Sequence, residues 1–249
     1  MNNAVDIWKG VYKSFSEVVS EEDKHAFNSS AWFEQLFDKL QDKINSDVVL
    51  SYDYPLSIAI SMDIYNRDKK DNYCILDFGG GLGANYFLLR KSLNAEVNLK
   101  YDIVELEDVV GFANKKIKNN ELSFYNSLPE NTYFYDCVHC GSSLQYIEDW
   151  QDIINKLTSY KPKMIVFSDM TVGKFKSFVS TQKYYNKTIP VKFYNEEDFI
   201  AIMANMGFKS IYSSYYCAKV LGEFGPLPMH GLPEENRINH TKNYIFLAC

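Results

Sequence analysis

The residues best placed to do chemistry lie between Cys74 and Gly83, where the chain reads CILDFGGGLG. An apolar run enters a glycine-rich turn, and Tyr86, Phe87 and Leu89 follow in a helical pattern. Glycines let the main chain turn tightly and approach a ligand with no Cβ in the way. A helix start adds unpaired N–H groups. Such a turn suits a nucleotide-bearing ligand. Gly79, Gly81 and Ala84 have the spacing of the dinucleotide fingerprint, which accepts Ala in third place. Asp77, two residues before Gly79, favours a different ligand. A carboxylate beside the turn repels a pyrophosphate but suits the ammonium of a methionine moiety, directly or through water. The balance is for S-adenosylmethionine over NAD; the plainer role for Asp77 is a turn cap or a core hydrogen-bond acceptor. Glu105, 22 residues after Gly83, can accept from both ribose hydroxyls. It supports an adenosine-containing ligand without separating the two cofactors. Asp102 is mid-strand and structural, and Glu107 and Asp108 are fallback acids.

A second constellation runs from His139 through Cys140, Gly141, Ser142 and Ser143 to Gln145. It ends a predicted strand, and strand ends on this side of a parallel sheet line the ligand crevice. Small residues at Cys140, Gly141 and Ser142 would let a cofactor pass close to the main chain; the plainer alternative is a strand-to-helix turn. Asn126 and Ser127 follow another strand and could meet an adenine edge. Cys137 and Cys140 form a CxxC, but on a strand they face opposite sides and could not chelate one ion; no metal site is expected. Three residues are candidate general bases: His139 at the crevice, Asp169 after the next strand, and His230 in a Gly/Pro-rich loop. His240 is a weaker candidate, and His25 is expected to be merely exposed. Gln182, Tyr184 and Tyr185 are candidate acceptor contacts, in a segment that is either a substrate wall or a simple helix.

These residues need a scaffold. Residues 1–70 carry no strand signal, and Trp32, Phe33, Leu36, Phe37, Leu40 and Ile44 recur at helical spacing. A second helix is expected from near Pro55 to Tyr65. This part is read as a helical cap, followed by a catalytic domain over 71–249. From Tyr73 short apolar runs alternate with helical stretches, the signature of βαβ units. Strands are predicted at Tyr73–Phe78, Leu99–Glu105, Leu122–Tyr125, Tyr135–Cys140 and Met164–Ser168. Ser210–Tyr216 and Tyr244–Ala248 are expected to form a closing antiparallel hairpin. Between them, Asn195 should cap a helix that stops at Gly207.

The chain has 249 residues and a formal net charge of −6, with 46% hydrophobic and 23% charged residues. No basic stripe marks a nucleic-acid surface. No run approaches the ~18 apolar residues that span a bilayer. The N-terminal MNNAVDIWKG lacks the apolar core of a signal peptide, and the five scattered cysteines suggest no disulfide framework. A cytoplasmic protein is expected.

The Asp77–Gly83 turn, Glu105 and the YDCVHCGSSLQYIEDW stretch together resemble the motifs of class I S-adenosylmethionine-dependent methyltransferases, over about Tyr73 to Cys249. That resemblance implies a Rossmann-like α/β fold: a seven-stranded, mostly parallel sheet with an antiparallel last strand. WKGVYKSFSEV, DFGGGLG and SFVSTQKYYNKTIPVKFYNEEDF more narrowly resemble a bacterial methyltransferase family associated with surface-polysaccharide loci. That family tends to have Leu before Gln182 and Asn after it, where this chain has Thr181 and Lys183. The resemblance implies a small polar acceptor, such as a sugar hydroxyl or phosphate-type group of a glycan precursor. The Asp/Asn-Pro-Pro-aromatic motif of amino-methylating DNA enzymes is absent, and no acid lies between His139 and Tyr146 to hold Mg²⁺. Two other classes stay open: an NAD(P)-dependent oxidoreductase and a non-catalytic cofactor-binding partner subunit. Oligomers are compatible with the aromatic-rich cap.

Overall fold

Strands buried on both faces need helices on both sides, and runs such as Tyr73–Phe78 and Met164–Met170 are buried nearly throughout. In a computed structural model, which describes residues 6–18, 30–46, 54–67, 72–130, 134–184, 187–217, 219–220 and 223–249, these runs form the centre of one sheet. The elements are β1 (Trp8–Tyr12), α1 (Ser30–Asn45), α2 (Tyr54–Tyr65), β2 (Tyr73–Phe78), α3 (Ala84–Ser92), β3 (Leu99–Val104), α4 (Glu107–Lys116) and β4 (Leu122–Tyr125). Then follow β5 (Cys137–Gly141), α5 (Trp150–Ser159), β6 (Met164–Met170), β7 (Val172–Gly173), β8 (Phe178–Tyr184) and β9 (Lys187–Asn195). The chain ends with α6 (Glu196–Asn205), β10 (Phe208–Tyr215), β11 (Lys219–Val220), β12 (Glu223–Phe224) and β13 (Lys242–Ala248).

The main sheet has the order β10-β13-β6-β5-β2-β3-β4. Neighbours from β6 to β4 are parallel, and β13 runs antiparallel to both β6 and β10. This is the mostly parallel seven-stranded sheet with an antiparallel last strand that the sequence implies. Leu56 and Ile60 of α2 and Tyr86 and Leu89 of α3 cover one face. Trp150, Ile154 and Leu157 of α5 and Phe199 and Met203 of α6 cover the other. Cys137 packs with the first group and Cys140 with the second, as the strand geometry requires. Helix α6 starts as expected: the Asn195 side chain accepts from the Asp198 N–H at 2.9 Å, and Gly207 (φ 83°) follows its end.

One expectation fails, and one of two open alternatives drops out. The first 70 residues are not all helical, because Trp8–Tyr12 is a strand. Its period-2 pattern is hard to see, since Lys9 and Val11 are exposed and Gly10 adopts φ 81°. The segment around Gln182 is not a helix but the hairpin β8–β9, paired from Phe178↔Phe193 to Tyr184↔Lys187. With β1 on one side and β7 on the other it makes a second, four-stranded sheet. Ile189, Val191 and Phe193 are buried while Thr188, Pro190 and Lys192 are not, a strand alternation of β-branched and aromatic residues. Among the described residues, no helix is long and apolar enough to cross a membrane.

Candidate cofactor and acceptor site

The glycine turn leaves the end of β2 between two loops. Gly79, Gly81 and Gly83 have φ of 72°, 59° and 83°, a region costly to residues with a side chain. At Gly79 a Cβ would lie 2.3 Å from the Cβ of Ser143, so the turn after β2 and the turn after β5 touch. The Ser143 hydroxyl seals that contact by donating to the Phe78 carbonyl at 2.8 Å. Glu105, just beyond β3, reaches across: its carboxylate accepts from the Gly81 N–H at 3.0 Å and from the Leu106 N–H at 2.9 Å. Burial raises its pKa, and the nearby Asp77 charge adds to this, against the lowering by the two backbone donors. Helix α1 lies over this end, with Trp32 and Phe33 packed with Leu82 and Val109, and Leu36 beside them. Asn126 is exposed immediately after β4.

Asp77 is a buried hydrogen-bond acceptor. It is fully buried, with Gly80 directly above: a Cβ on Gly80 would stand 2.6 Å from Asp77 Oδ2. That oxygen accepts from the Tyr101 hydroxyl at 2.7 Å, and Oδ1 accepts from His139 Nδ1 at 2.8 Å. Both carboxylate oxygens are thus engaged within the protein. His139 is likewise fully buried, and its Nε2 lies 3.0 Å from the Ser168 hydroxyl. The parallel register Asp77↔His139 brings the pair together. Both ring nitrogens are engaged inside the sheet, so His139 does not reach out as a base. The Cys140 side chain is in the core and its thiol pKa is pushed well up by burial, leaving only its main chain at the end of β5.

Beside the Asp77–His139 pair, Ser142 (φ 50°), just after β5, and Asp169 (φ 59°), next to the last residue of β6, have strained backbone. Left-handed backbone in residues with a side chain clusters at functional sites. Gln145 bridges them, its amide donating to the Ser142 hydroxyl at 3.2 Å and to the Asp169 carbonyl at 3.4 Å. Gln145 Oε1 is buried with no partner among the described residues. The Asp169 carboxylate accepts from the Thr241 hydroxyl, and its N–H donates to Asn243. Tyr146 donates to Gln182 Oε1 at 3.1 Å, so the β8–β9 hairpin closes this side. Tyr184 accepts from Trp32 Nε1 at 3.1 Å and ties the same hairpin to α1.

The structure thus brings Asp77, Gly79, Gly81, Gly83, Glu105, His139, Gly141 and Ser142 to one set of strand ends, with Asp169 and Gln182 beside them. It does not bring His230 there: that side chain is exposed, while its neighbours Met229 and Leu232 are buried against Trp8 and Phe178. Tyr185 and His25 lie outside the described residues. Gln145 closes the constellation already read from the sequence, whereas Tyr101, Tyr146, Ser168 and Thr241 escape sequence reasoning, although Ser168 sits next to a residue already singled out. An open groove of about 390 Å³ between α5 and α6 is lined by none of these site residues.

No family model and no curated protein matches the chain. Solved structures do. Magnesium protoporphyrin IX methyltransferase from Synechocystis PCC 6803, solved with S-adenosylhomocysteine, is 14% identical with a TM-score of 0.53, covering 92% of this chain and 98% of its own. The 1,6-didemethyltoxoflavin-N1-methyltransferase of Burkholderia thailandensis, solved with 1,6-didemethyltoxoflavin and S-adenosylhomocysteine, is 11% identical with a TM-score of 0.52, covering 96% and 94%. An S-adenosylmethionine-dependent methyltransferase from Mesorhizobium loti is 12% identical with a TM-score of 0.52, covering 79% and 98%. At such identities the likeness establishes a fold, and that fold is the one S-adenosylmethionine-dependent methyltransferases use.

Proposed function

We propose that this protein is an S-adenosylmethionine-dependent methyltransferase that O-methylates a small, polar, hydroxyl-bearing acceptor. One observation carries the proposal: the left-handed Gly79–Gly83 turn faces the Glu105 carboxylate, with a buried anion, Asp77, beneath it. The turn's main chain and the Gly141–Ser142 turn form the walls of the cofactor's seat, Glu105 takes the ribose hydroxyls, and Asn126 lies at the adenine end. The Asp77 charge opposes a pyrophosphate and favours a cationic ligand, which weighs against the NAD(P)-dependent oxidoreductase. Bound, the cofactor supplies a methyl group on positively charged sulfur.

Orientation of the acceptor then does much of the work. Asp169 is our choice of general base, because it sits at a strand end, half-buried, held by Thr241 and Asn243. It receives the proton of the acceptor hydroxyl. A carboxylate, the Gln145 and Gln182 amides and the Ser142 and Tyr146 hydroxyls make a set that binds hydroxyl groups, and a sugar suits it better than a phosphate-type group. The resemblance of the WKGVYKSFSEV and SFVSTQKYYNKTIPVKFYNEEDF stretches supports a precursor of a surface polysaccharide such as a capsule, methylated in the cytoplasm. Transfer of labelled methyl from S-adenosylmethionine to a panel of nucleotide sugars tests this. Turnover of at least one sugar is expected, with Asp169→Asn slower by about 10²–10⁴-fold. Cofactor binding with no transfer to any sugar would favour the non-catalytic partner subunit. Turnover unaffected by Asp169→Asn would remove Asp169 as the base.

A further inference from the structure

Asp77, His139 and Ser168 stand in the order and at the spacings of a nucleophilic triad, 2.8 Å and 3.0 Å apart. They do not form one, since Ser168 is 1% exposed and no substrate can reach its hydroxyl. We infer instead that His139 is a positioning residue: with Asp77 and Ser168 it forms a relay across three neighbouring strands that holds the cofactor-side turn in register with the acceptor side. This rests on the methyltransferase reading above.

Each member lies directly under, or next to, a turn that the site uses. Asp77 is beneath Gly80, where a Cβ would come within 2.6 Å of the carboxylate. His139 is beneath Gly141, where a Cβ would come within 2.7 Å of ring Cε1. Ser168 immediately precedes the strained Asp169. The carboxylate needs a donor, so Nδ1 carries the proton; with the ring neutral, Ser168 donates to Nε2. Tyr101 fixes the other carboxylate oxygen at 2.7 Å. The main-chain height of two turns and the start of a third are therefore set by one chain of hydrogen bonds among side chains that are 0–1% exposed, where bulk solvent does not replace a broken link.

The two amide replacements of His139 split the relay. In His139→Asn the amide nitrogen stands near the place of Nδ1 and keeps the bond to Asp77. In His139→Gln it stands near Nε2 and reaches Ser168 only. Calorimetric titration with S-adenosylmethionine and S-adenosylhomocysteine should find His139→Asn within about threefold of wild type and His139→Gln weaker by roughly tenfold or more, one broken buried hydrogen bond to a charged group. In wild type, the slowly exchanging imidazole N–H proton signal should move when S-adenosylmethionine is added, and should also move in Ser168→Ala. Equal losses in the two amide variants would reduce His139 to core packing and overturn the relay, as would a His139→Gln protein that binds like wild type. If both variants unfold, the N–H signal decides: one that is unmoved by cofactor and by Ser168→Ala overturns it. Wild-type protein that binds neither ligand overturns the methyltransferase reading, and the relay's role in it, while binding by wild type with undiminished His139→Gln overturns the relay alone.

Discussion

In the proposed role of ribose acceptor, Glu105 would serve a ligand at the expense of the ligand-free fold. Burial raises its pKa, with Asp77 adding to the rise. A carboxylate whose pKa is higher folded than unfolded contributes stability at low pH and loses it as the pH rises through the folded value. At neutral pH the ionised group therefore burdens the ligand-free protein. Glu105→Gln should raise Tm without ligand at neutral pH, with the gain closing as the solution is acidified. The same variant should bind S-adenosylmethionine about 10–100-fold more weakly, because hydrogen bonds to an ionised acceptor are worth ~1.5–3 kcal/mol. Thermal melts over pH, paired with calorimetry, check both halves. Glu105 was legible in the sequence because its position at the end of a strand after the glycine turn is a local property. The Asp77–His139 pair was not, since its partners are 62 residues apart and meet only through strand register. A trace of it was there: both residues stand two places before a turn glycine, Gly79 and Gly141.

The elements that position these residues differ in how openly they declare themselves. Strand β2 and helix α3 follow from an apolar run, glycines and a helical pattern. Helix α6 is set by Asn195 and its acidic first turn, and it is locked to the sheet by Glu196, which accepts from Lys242 at 2.6 Å and from Tyr244 at 2.7 Å. Burial pushes the Glu196 pKa up, but those partners outweigh it and hold it below the usual value. A depressed carboxylate contributes stability above its unfolded pKa and loses it as the pH falls through the folded one. Glu196→Gln should cost about 1–3 kcal/mol at neutral pH, and the difference from wild type should close below the usual carboxylate range; urea melts across pH measure it. The β8–β9 hairpin was harder to see. Its alternation at Ile189, Val191 and Phe193 was available, but Pro190 interrupts the run and Lys183 to Asn186 reads as polar. Strand β1 was harder still, because five residues with one buried side chain make no pattern until a neighbour, β8, supplies the hydrogen bonds.

At the scale of the whole molecule, the sheet order gathers the proposed cofactor residues at the ends of β2, β3 and β5 and the proposed acceptor residues at those of β5 and β6, with α1 tied to the β8–β9 hairpin beside them. The fold class was legible because alternation of strand and helix is a long-range rhythm that survives local ambiguity. How residues from the two ends of the chain would meet was not, as with Trp32 and Tyr184. A ligand that binds only the folded state stabilises all of it: at one hundred times Kd the gain is about 2.7 kcal/mol, or roughly 5–10 °C in Tm for a chain of this size. S-adenosylmethionine should give that rise, and NAD⁺ should give none. The central claim is tested most directly by calorimetric titration of the wild-type protein with S-adenosylmethionine, S-adenosylhomocysteine, NAD⁺ and NADP⁺ in parallel. The account predicts binding of the two sulfur ligands alone, weakened in Asp77→Ala and Glu105→Ala. Binding of a nicotinamide cofactor without the sulfur ligands would contradict it.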